Sequence, residues 1–323
     1  MSPSPSEKRR GWHWSDYWRS GRTDVMTVQT AAGPVAFDTR PIWTEWFAAF
    51  ETGAALLDLA TGNGQVAGYA SGAAAAGGKT FAITGVDYAE VEAANPRLPA
   101  DCRLMGGVAL EKLPFPAAAF DGAASQFGIE YADTRAALQE LGRVLKPEGR
   151  TLMLIHHADS VITRQTADQI AAYDAVLGRS GAIRHARRAF TAHLRGSPSS
   201  GPEDALREAV QRAAGRLAPT AAFEPVRYMV GYLDDLARRI ASYEPESALA
   251  RLDVFEAGNA AWRHRQQSQT LAALDGPGLD AFVQRAARAG LELTERAEIT
   301  DAGGQLIGWR TAFRKTSTLR PPG

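Results

Sequence analysis

Short apolar runs alternate with stretches of helical periodicity through the first half of the chain. The runs "AALLDLA", "KTFAITGVD", "CRLM", "FDGAASQF" and "RTLMLIHH" have the length and content of buried strands. Between them, "GQVAGYASGAAAAGG" and "TRAALQELGRVLK" have the length and spacing of helices that pack on a sheet, and "PEG" has the residues of a turn before the fifth strand. This alternation predicts an α/β fold with a largely parallel sheet.

The pattern changes after about residue 159. From there to about residue 275 only helical periodicity is present, as in "ADQIAAYDAVL" and "VGYLDDLARRIASY". A helix, a strand, a Gly-Gly turn and a last strand follow, and the tight turn makes those two strands antiparallel. The predicted regions are an N-terminal aromatic helical cap over 1–40, a core over 41–158, a helical insertion over 159–275, the rest of the core over 276–315 and a tail over 316–323.

The charge balance argues against two classes of partner. The chain has 36 basic and 36 acidic residues, so it lacks the overall basic charge with which proteins hold nucleic acid or anionic membranes. Cys102 is its single cysteine, and we find no apolar run of 18 residues and no signal-type segment. These features predict a cytoplasmic protein with no nucleic-acid or membrane partner, and they leave the oligomeric state unknown.

The stretch "ALLDLATGNGQVA" has the order strand, acidic residue, glycine turn and helix that is typical of nucleotide-cofactor sites. Gly62 and Gly64 let the backbone approach a ligand, and Ala67 leaves the spacing open to a dinucleotide. Asp58 would repel a pyrophosphate but suits a cofactor that carries an amine and a sulfonium. Asp87 ends the second strand, where a carboxylate can accept hydrogen bonds from ribose hydroxyls.

Four blocks in order carry a resemblance to a known family: "LLDLATGNG", "ITGVD", "LEKLPFPAAAFDGAASQFGIEY" and "ELGRVLKPEGRTLMLIHH". They resemble the class I S-adenosyl-L-methionine (SAM)-dependent methyltransferases, in particular the ubiquinone/menaquinone C-methyltransferase-like branch. The resemblance covers about 54–157 and, by topology, 278–315. It implies a Rossmann-like, doubly wound, seven-stranded mixed sheet with an antiparallel last strand. It also implies SAM as the cofactor, across the carboxyl ends of strands one, two and four, and no metal.

Two positions depart from the family pattern. Ala60 stands where the family usually has the first glycine, and Ala109 stands where it often has an acidic residue that contacts adenine, with Glu111 two residues on. The cofactor-binding residues that we infer at the matching positions are Asp58, Ala60, Thr61, Gly62, Gly64, Asp87, Tyr88, Ala109, Leu110, Ser125, Gln126 and Phe127.

The N-terminal cluster "GWHWSDYWRSGR" has two interpretations. Trp14 and Trp18 have helical i, i+4 spacing, which favours an apolar stripe that docks a helix on the domain. In the functional alternative the cluster is a lid, with Tyr17, Trp18 and Arg22 near the methionine end of the cofactor. The segment "RHARRAF" is typical of a solvated helix face, and less so of a clamp for an acidic acceptor.

Methyl transfer needs alignment and exclusion of water, and in some cases a base. His156 and His157 end the fifth strand, and strand alternation lets at most one of them face an acceptor. Glu130 and Tyr131, just after strand four, are the competing candidates for the catalytic base. The sequence thus predicts a methyltransferase for a small organic molecule beneath the helical insertion. A non-catalytic SAM-binding regulatory or scaffold protein and an RNA methyltransferase are the alternatives.

Overall fold

The computed structural model describes residues 12–19, 26–30, 33–91, 98–99, 102–196, 200–220 and 223–317. The chain forms two compact units. The α/β unit comprises Met1–Val28, Pro34–Thr163 and Ser268–Gly323, and the helical unit comprises Gln29–Gly33 and Arg164–Gln267.

The α/β unit is built on one seven-stranded sheet, whose strands come after β1 (Met26–Thr30) and β2 (Gly33–Phe37) in the chain. The seven strands are β3 (Ala54–Leu59), β4 (Phe81–Val86), β5 (Cys102–Met105), β6 (Phe120–Gln126), β7 (Leu145–His156), β8 (Leu291–Thr300) and β9 (Leu306–Lys315). Their order in the sheet is β5-β4-β3-β6-β7-β9-β8. Strands β3 to β7 are parallel to one another, and β9 is antiparallel to both of its neighbours, β7 and β8. The predicted mixed sheet with its antiparallel last strand is confirmed.

Along the chain, helices lie before, between and after the strands of this sheet. Those in the first half are α1 (Trp12–Arg19), α2 (Arg40–Ala48), α3 (Gln65–Ala76) and α4 (Thr134–Val144). Those in the second half are α5 (Val161–Tyr173), α6 (Ala182–Leu194), α7 (Ser200–Ala214), α8 (Glu224–Arg238), α9 (Pro245–Ala272) and α10 (Gly276–Arg288). Asp133 begins α4 by accepting hydrogen bonds from two backbone N–H groups of its first turn.

The sheet is buried on both faces because neighbouring side chains on a strand point to opposite sides. Leu57 of β3 lies in one apolar cluster with Leu138 and Phe282, and the adjacent Leu56 lies in the other with Trp43. These residues are nearly or fully excluded from solvent. The apolar layers therefore fix the carboxyl ends of β3, β4, β6 and β7, which carry the predicted site residues.

The helical unit has an apolar core of its own. Phe190, Leu206, Leu233 and Leu252 are fully buried in it. Arg187 of the "RHARRAF" segment forms ion pairs with Asp253 and Glu256 of α9, each at 2.7 Å. This arginine is thus held between two helices of the unit.

Two features differ from the sequence-based expectation. The predicted N-terminal helical cap contains one described helix, α1, but β1 (Met26–Thr30) and β2 (Gly33–Phe37) follow it as a separate two-stranded sheet. The predicted "PEG" turn lies within the bounds of β7. The pairing of β7 with β6 shifts register there, since Leu145 pairs with Phe120 and the next pair joins Arg150 to Gly122. The intervening residues bulge out of the ladder, which explains their turn-like composition.

Candidate functional site

The glycine turn after β3 follows a sharply folded path. Ala60, Gly62 and Gly64 all have positive φ angles, of 55°, 52° and 81°. The Thr61 N–H donates to the Val86 carbonyl of β4 at 2.9 Å, which ties the turn to the neighbouring strand. Gly62 and Gly64 adopt this conformation at little cost, whereas Ala60 carries the strain of a left-handed residue with a side chain. The turn thus forms with an alanine at this position.

Asp58 holds the turn from inside the protein. Its side chain is 3% exposed, and its Oδ2 accepts hydrogen bonds from the Thr61 hydroxyl at 2.6 Å and from the Ala67 N–H at 3.1 Å. Burial raises the pKa of this carboxyl to about 7. The structure therefore places Asp58 and Thr61 together beneath the glycine turn, bonded to each other and to the first turn of α3.

Asp87 connects the glycine turn to the loop after β4. Its Oδ2 accepts from the Gly62 N–H at 2.8 Å and its Oδ1 accepts from the Ala89 N–H at 2.7 Å. Burial raises the pKa of this carboxyl to about 6. Asp87 thus lies next to the glycine turn at the carboxyl end of its strand, where the sequence analysis expects it, and its bond to ribose stays a prediction.

The residues predicted on the adenosine side lie close to Asp87 along the backbone. The Val108 N–H donates to the Asp87 carbonyl at 2.8 Å, which brings the segment before Ala109 alongside it. Tyr88 and Ala109 are half-buried, while Leu110 belongs to the apolar core. Glu111, the nearby acidic residue, accepts the Asp133 N–H at 2.8 Å.

The end of β6 is tied to its neighbours by side chains. Ser125 is fully buried, donating to the Leu59 carbonyl and accepting from the Ile129 N–H. Gln126 accepts the Trp43 indole N–H at 2.6 Å and donates to Gln65 at 3.0 Å. Ser125 thus ties the end of β3 to the segment after β6, and Gln126 ties α2 to the start of α3. Their cofactor role stays a prediction.

Helix α1 lies on these loops. The Asn63 side chain donates to the Trp18 carbonyl at 3.0 Å, and the Glu90 N–H donates to the Ser15 hydroxyl at 3.0 Å. A methyl group built on Gly62 would come within 2.5 Å of the Trp18 indole. The rings of Trp14 and Trp18 stack at 6.3 Å, as their spacing on a helix predicts.

Two more aromatic contacts extend this arrangement. Tyr17 packs edge-on to Trp18 at 4.8 Å, and Trp14 packs edge-on to Tyr131 at 5.6 Å. The helix is therefore docked on the domain with Trp18 against the glycine turn. A lid role, with Tyr17 and Trp18 near the methionine end of the cofactor, stays a prediction. Arg22 lies outside the described residues.

A second group of polar residues lies where β6 and β7 end. Glu130 Oε1 is 2.7 Å from His156 Nδ1 and accepts the His156 backbone N–H at 3.0 Å. The Phe127 ring lies 4.6 Å from the His156 ring, and Tyr131 packs edge-on to it at 5.8 Å. Burial, and then the nearby Glu130 charge, raises the pKa of Tyr131 well above its usual value. The structure thus brings together three of the four predicted catalytic candidates.

His157 points elsewhere. Its ring stacks on Trp309 at 4.3 Å, and its Nδ1 accepts the Asp159 N–H at 2.9 Å. Its Nε2 lies 3.8 Å from Glu298 Oε1 of β8. The adjacent histidines therefore occupy different surroundings, as strand alternation predicts.

Sequence reasoning missed the pairing of Glu130 with His156. The two residues are 26 positions apart, and no local motif joins them. The available signal was topological, because β6 and β7 are adjacent parallel strands with Gln126 opposite Leu154. Glu130 comes shortly after the end of β6 and His156 is the last residue of β7, so both lie at the same edge of the sheet.

The described residues contain no cluster of three or more His, Cys, Asp or Glu side chains that could hold a metal ion. Among the same residues, no helix is long and apolar enough to span a membrane.

One segment of the α/β unit matches known proteins. Residues 57–153 match a protein family described as "Methyltransferase domain". The chain is 39% identical over 108 residues to a demethylmenaquinone methyltransferase of Thermus thermophilus, covering 31% of this chain and 46% of the relative. It is 41% identical over 104 residues to the ubiquinone/menaquinone biosynthesis C-methyltransferase UbiE of Syntrophotalea carbinolica, covering 31% and 42%. The chain thus spans less than half the length of these curated relatives.

A solved structure also resembles the chain. It is the 1,6-didemethyltoxoflavin-N1-methyltransferase of Burkholderia thailandensis, determined with 1,6-didemethyltoxoflavin and S-adenosylhomocysteine. The identity is 15%, the TM-score is 0.46, and the match covers 98% of this chain and 92% of that one.

The seven-stranded sheet and the matched segment, residues 57–153, are similar to those of class I methyltransferase domains. Within that class, the chain is similar to the ubiquinone/menaquinone C-methyltransferase branch. The family resemblance predicted from the sequence is confirmed for this domain, and the predicted enzyme class and cofactor agree with it.

Proposed function

We propose that this protein is a SAM-dependent methyltransferase that acts on a small organic molecule. One observation carries the proposal: in a chain whose residues 57–153 match a methyltransferase domain, a glycine turn lies between two buried carboxyl groups at the carboxyl ends of β3 and β4. Ligands of open α/β sheets bind at this edge.

The residues of the glycine turn fit the proposed cofactor. Burial raises the pKa of both Asp58 and Asp87, and the charge of Asp87 raises the pKa of Asp58 further. A cation nearby would stabilise both groups as carboxylates. SAM carries an amine and a sulfonium, whereas the pyrophosphate of a dinucleotide would add negative charge. When bound, SAM supplies an electrophilic methyl group.

The chain's own residues would orient the cofactor and exclude water from the reacting atoms. Asp87 would accept hydrogen bonds from the ribose, and the N–H groups around Gly62 and Gly64 would line the close approach of the backbone. Trp18, which lies on Gly62, would help to exclude water from the reacting atoms. In-line methyl transfer depends mainly on such alignment.

The small-molecule acceptor is supported by the quinone and toxoflavin methyltransferases to which the chain is similar. The balanced charge of the chain, 36 basic and 36 acidic residues, also favours it over a nucleic acid. The predicted substrate cap, at about 159–275, is part of the same proposal. It follows in sequence directly after His156 and His157 at the end of β7.

The first experiment is isothermal calorimetry of the full chain with SAM and with S-adenosylhomocysteine, alongside thermal unfolding. We expect a rise in Tm at saturating ligand, since a ligand that binds only the folded state stabilises it. NAD serves as the matched control. Binding of NAD in place of SAM would overturn the proposal.

The second experiment measures S-adenosylhomocysteine release with a library of aromatic, heteroaromatic and acidic metabolites. Turnover on at least one compound supports a methyltransferase for small molecules. SAM binding without turnover on any acceptor, RNA included, would favour a regulatory or scaffold protein. Turnover on RNA alone would favour an RNA methyltransferase.

A further inference from the structure

The Glu130–His156 pair is organised more tightly than a surface ion pair. Glu130 is 6% exposed and His156 is 7% exposed. One oxygen, Oε1, receives both the ring nitrogen Nδ1 and the backbone N–H of His156. The other oxygen, Oε2, is buried and has no partner among the described residues. The carboxylate is thus dedicated to this one histidine.

This geometry selects a tautomer. An ionised carboxylate is an acceptor only, so the Nδ1 atom 2.7 Å away carries the hydrogen. In a neutral imidazole the other nitrogen, Nε2, then holds the lone pair. Within the described chain, Nε2 of His156 accepts no hydrogen bond, and the ring is not fully enclosed.

The neighbouring histidine has the opposite arrangement. His157 Nδ1 accepts the Asp159 backbone N–H at 2.9 Å, so its hydrogen is on Nε2. Its Nε2–H lies toward Glu298, and the ring is stacked on Trp309. Two consecutive residues of one strand end are therefore fixed in different tautomers by different partners.

We propose that Glu130 is a positioning residue that presents Nε2 of His156 as a proton acceptor for the methyl acceptor's O–H or N–H group. The inference rests on the proposed function. His156 Nε2 takes the proton, the freed electron pair forms the bond to the methyl carbon, and the cofactor sulfur keeps the electron pair of the bond that breaks. His156 then returns its proton to solvent. Glu130 stabilises the imidazolium through the same bond.

The rings around His156 describe the acceptor further. Phe127 lies 4.6 Å from His156, and Tyr131 lies 5.8 Å from it and packs against Trp14 of α1. Flat apolar groups pack well against such rings. The chemical class that fits is a planar, mostly apolar molecule with one proton-bearing oxygen or nitrogen.

The direct test needs no ligand. Proton–nitrogen correlation spectra of the full chain, labelled with ¹⁵N-histidine, report which ring nitrogen carries hydrogen. His156→Gln and His157→Gln variants identify the two signals among the 6 histidines. We expect hydrogen on Nδ1 in His156 and on Nε2 in His157, at a pH where both rings are neutral. Hydrogen on Nε2 of His156, or a mixture of tautomers, would overturn the inference.

The Glu130→Leu variant separates positioning from packing. It introduces an apolar side chain of similar volume but removes the acceptor of the His156 Nδ1–H group, so we expect His156 to lose its single tautomer while His157 keeps its own. A residue that only supports the backbone through the His156 N–H would leave the ring signal unchanged, which would contradict the inference. If the variant does not fold, the spectrum of the unaltered chain still decides the tautomer.

Kinetics with an acceptor from the library complete the test. We expect His156→Gln to lower kcat by ~10² to 10⁴ with little change in KM, and to remove the fall in rate at acidic pH. Full kcat with an unchanged pH profile would overturn the inference even if the tautomer is as expected. Absence of SAM binding would instead contradict the proposed function and leave the tautomer result intact.

Discussion

The two units bury different kinds of side chain. In the α/β unit, the buried groups of the described residues include Asp58, Asp87, Glu130, His156 and His157. Among the described residues of the helical unit, the buried polar side chains are Thr166, Ser180 and Asn259, and none of these is ionisable. Burying an ionisable group costs free energy unless it is bonded, and here that cost is concentrated at the carboxyl edge of one sheet. The described interior of the α/β unit thus contains ionisable side chains, whereas that of the helical unit contains apolar and neutral polar side chains only.

The largest expected effect tests packing in the helical unit. Phe190 is fully buried, and Phe190→Ala should lower the free energy of unfolding by about 3 to 5 kcal/mol because it leaves a cavity. Chemical denaturation measures this loss, and calorimetry at a temperature where the variant is folded should give an unchanged Kd for SAM. Phe282→Ala removes a fully buried ring from the α/β core in the same way, and its effect on the Kd for SAM is compared with that of Phe190→Ala. A tenfold weaker Kd in Phe190→Ala would contradict the division of roles.

A smaller effect is expected at the proposed cofactor site. Asp87→Ala should weaken SAM binding by about 1 to 3 kcal/mol, since it removes a charged acceptor. Calorimetry gives the Kd, and unfolding is measured separately because the Gly62 and Ala89 N–H bonds are also lost. Asp121→Ala is the control, because that carboxylate bonds Ala55 at the start of β3. An unchanged Kd in Asp87→Ala would place the ribose elsewhere.

A pH effect of comparable size is expected from Asp58. Its pKa is raised by burial to about 7, so the folded protein holds this proton more tightly than the unfolded chain. Its contribution to stability is therefore greatest below the unfolded pKa and falls as pH rises from about 4 to about 7. Asp58→Asn should remove on the order of 1 to 3 kcal/mol of that fall between pH 5 and 7.5. Equal pH dependence of unfolding in both proteins would contradict the assignment.

The smallest effect is the recovery of stability expected when Ala60→Gly is added to Gly128→Ala. A methyl group built on Gly128 would overlap the Ala60 side chain, so Gly128→Ala should cost about 1 to 3 kcal/mol of stability. Adding Ala60→Gly should recover about 1 kcal/mol, because it removes both the overlap and the left-handed alanine. Denaturation of the single and double variants measures the coupling. Strictly additive effects would show that the two side chains do not meet.

The sequence predicted the sheet well because β3, β4, β6 and β7 carry apolar runs that only a doubly covered sheet can bury. It also predicted that Asp58 lies near the end of β3 and Asp87 directly after β4, because each residue closes a short apolar run. It did not predict β1 and β2, which lack strong alternation, nor the ring contact of Glu130 with His156, which depends on the three-dimensional neighbourhood of two loops. Helical periodicity predicted the helices of the insertion, but it contains no information about ligands.

Helix α1 has only eight residues, and an isolated helix of that length is marginal in water. Its helical state therefore depends on the Trp18 contact with Gly62, the Asn63 bond and the Ser15 bond to the loop after β4. Undocking and unwinding of this segment are consequently one event. The rate of amide hydrogen exchange within α1 therefore reports how often the glycine turn becomes uncovered.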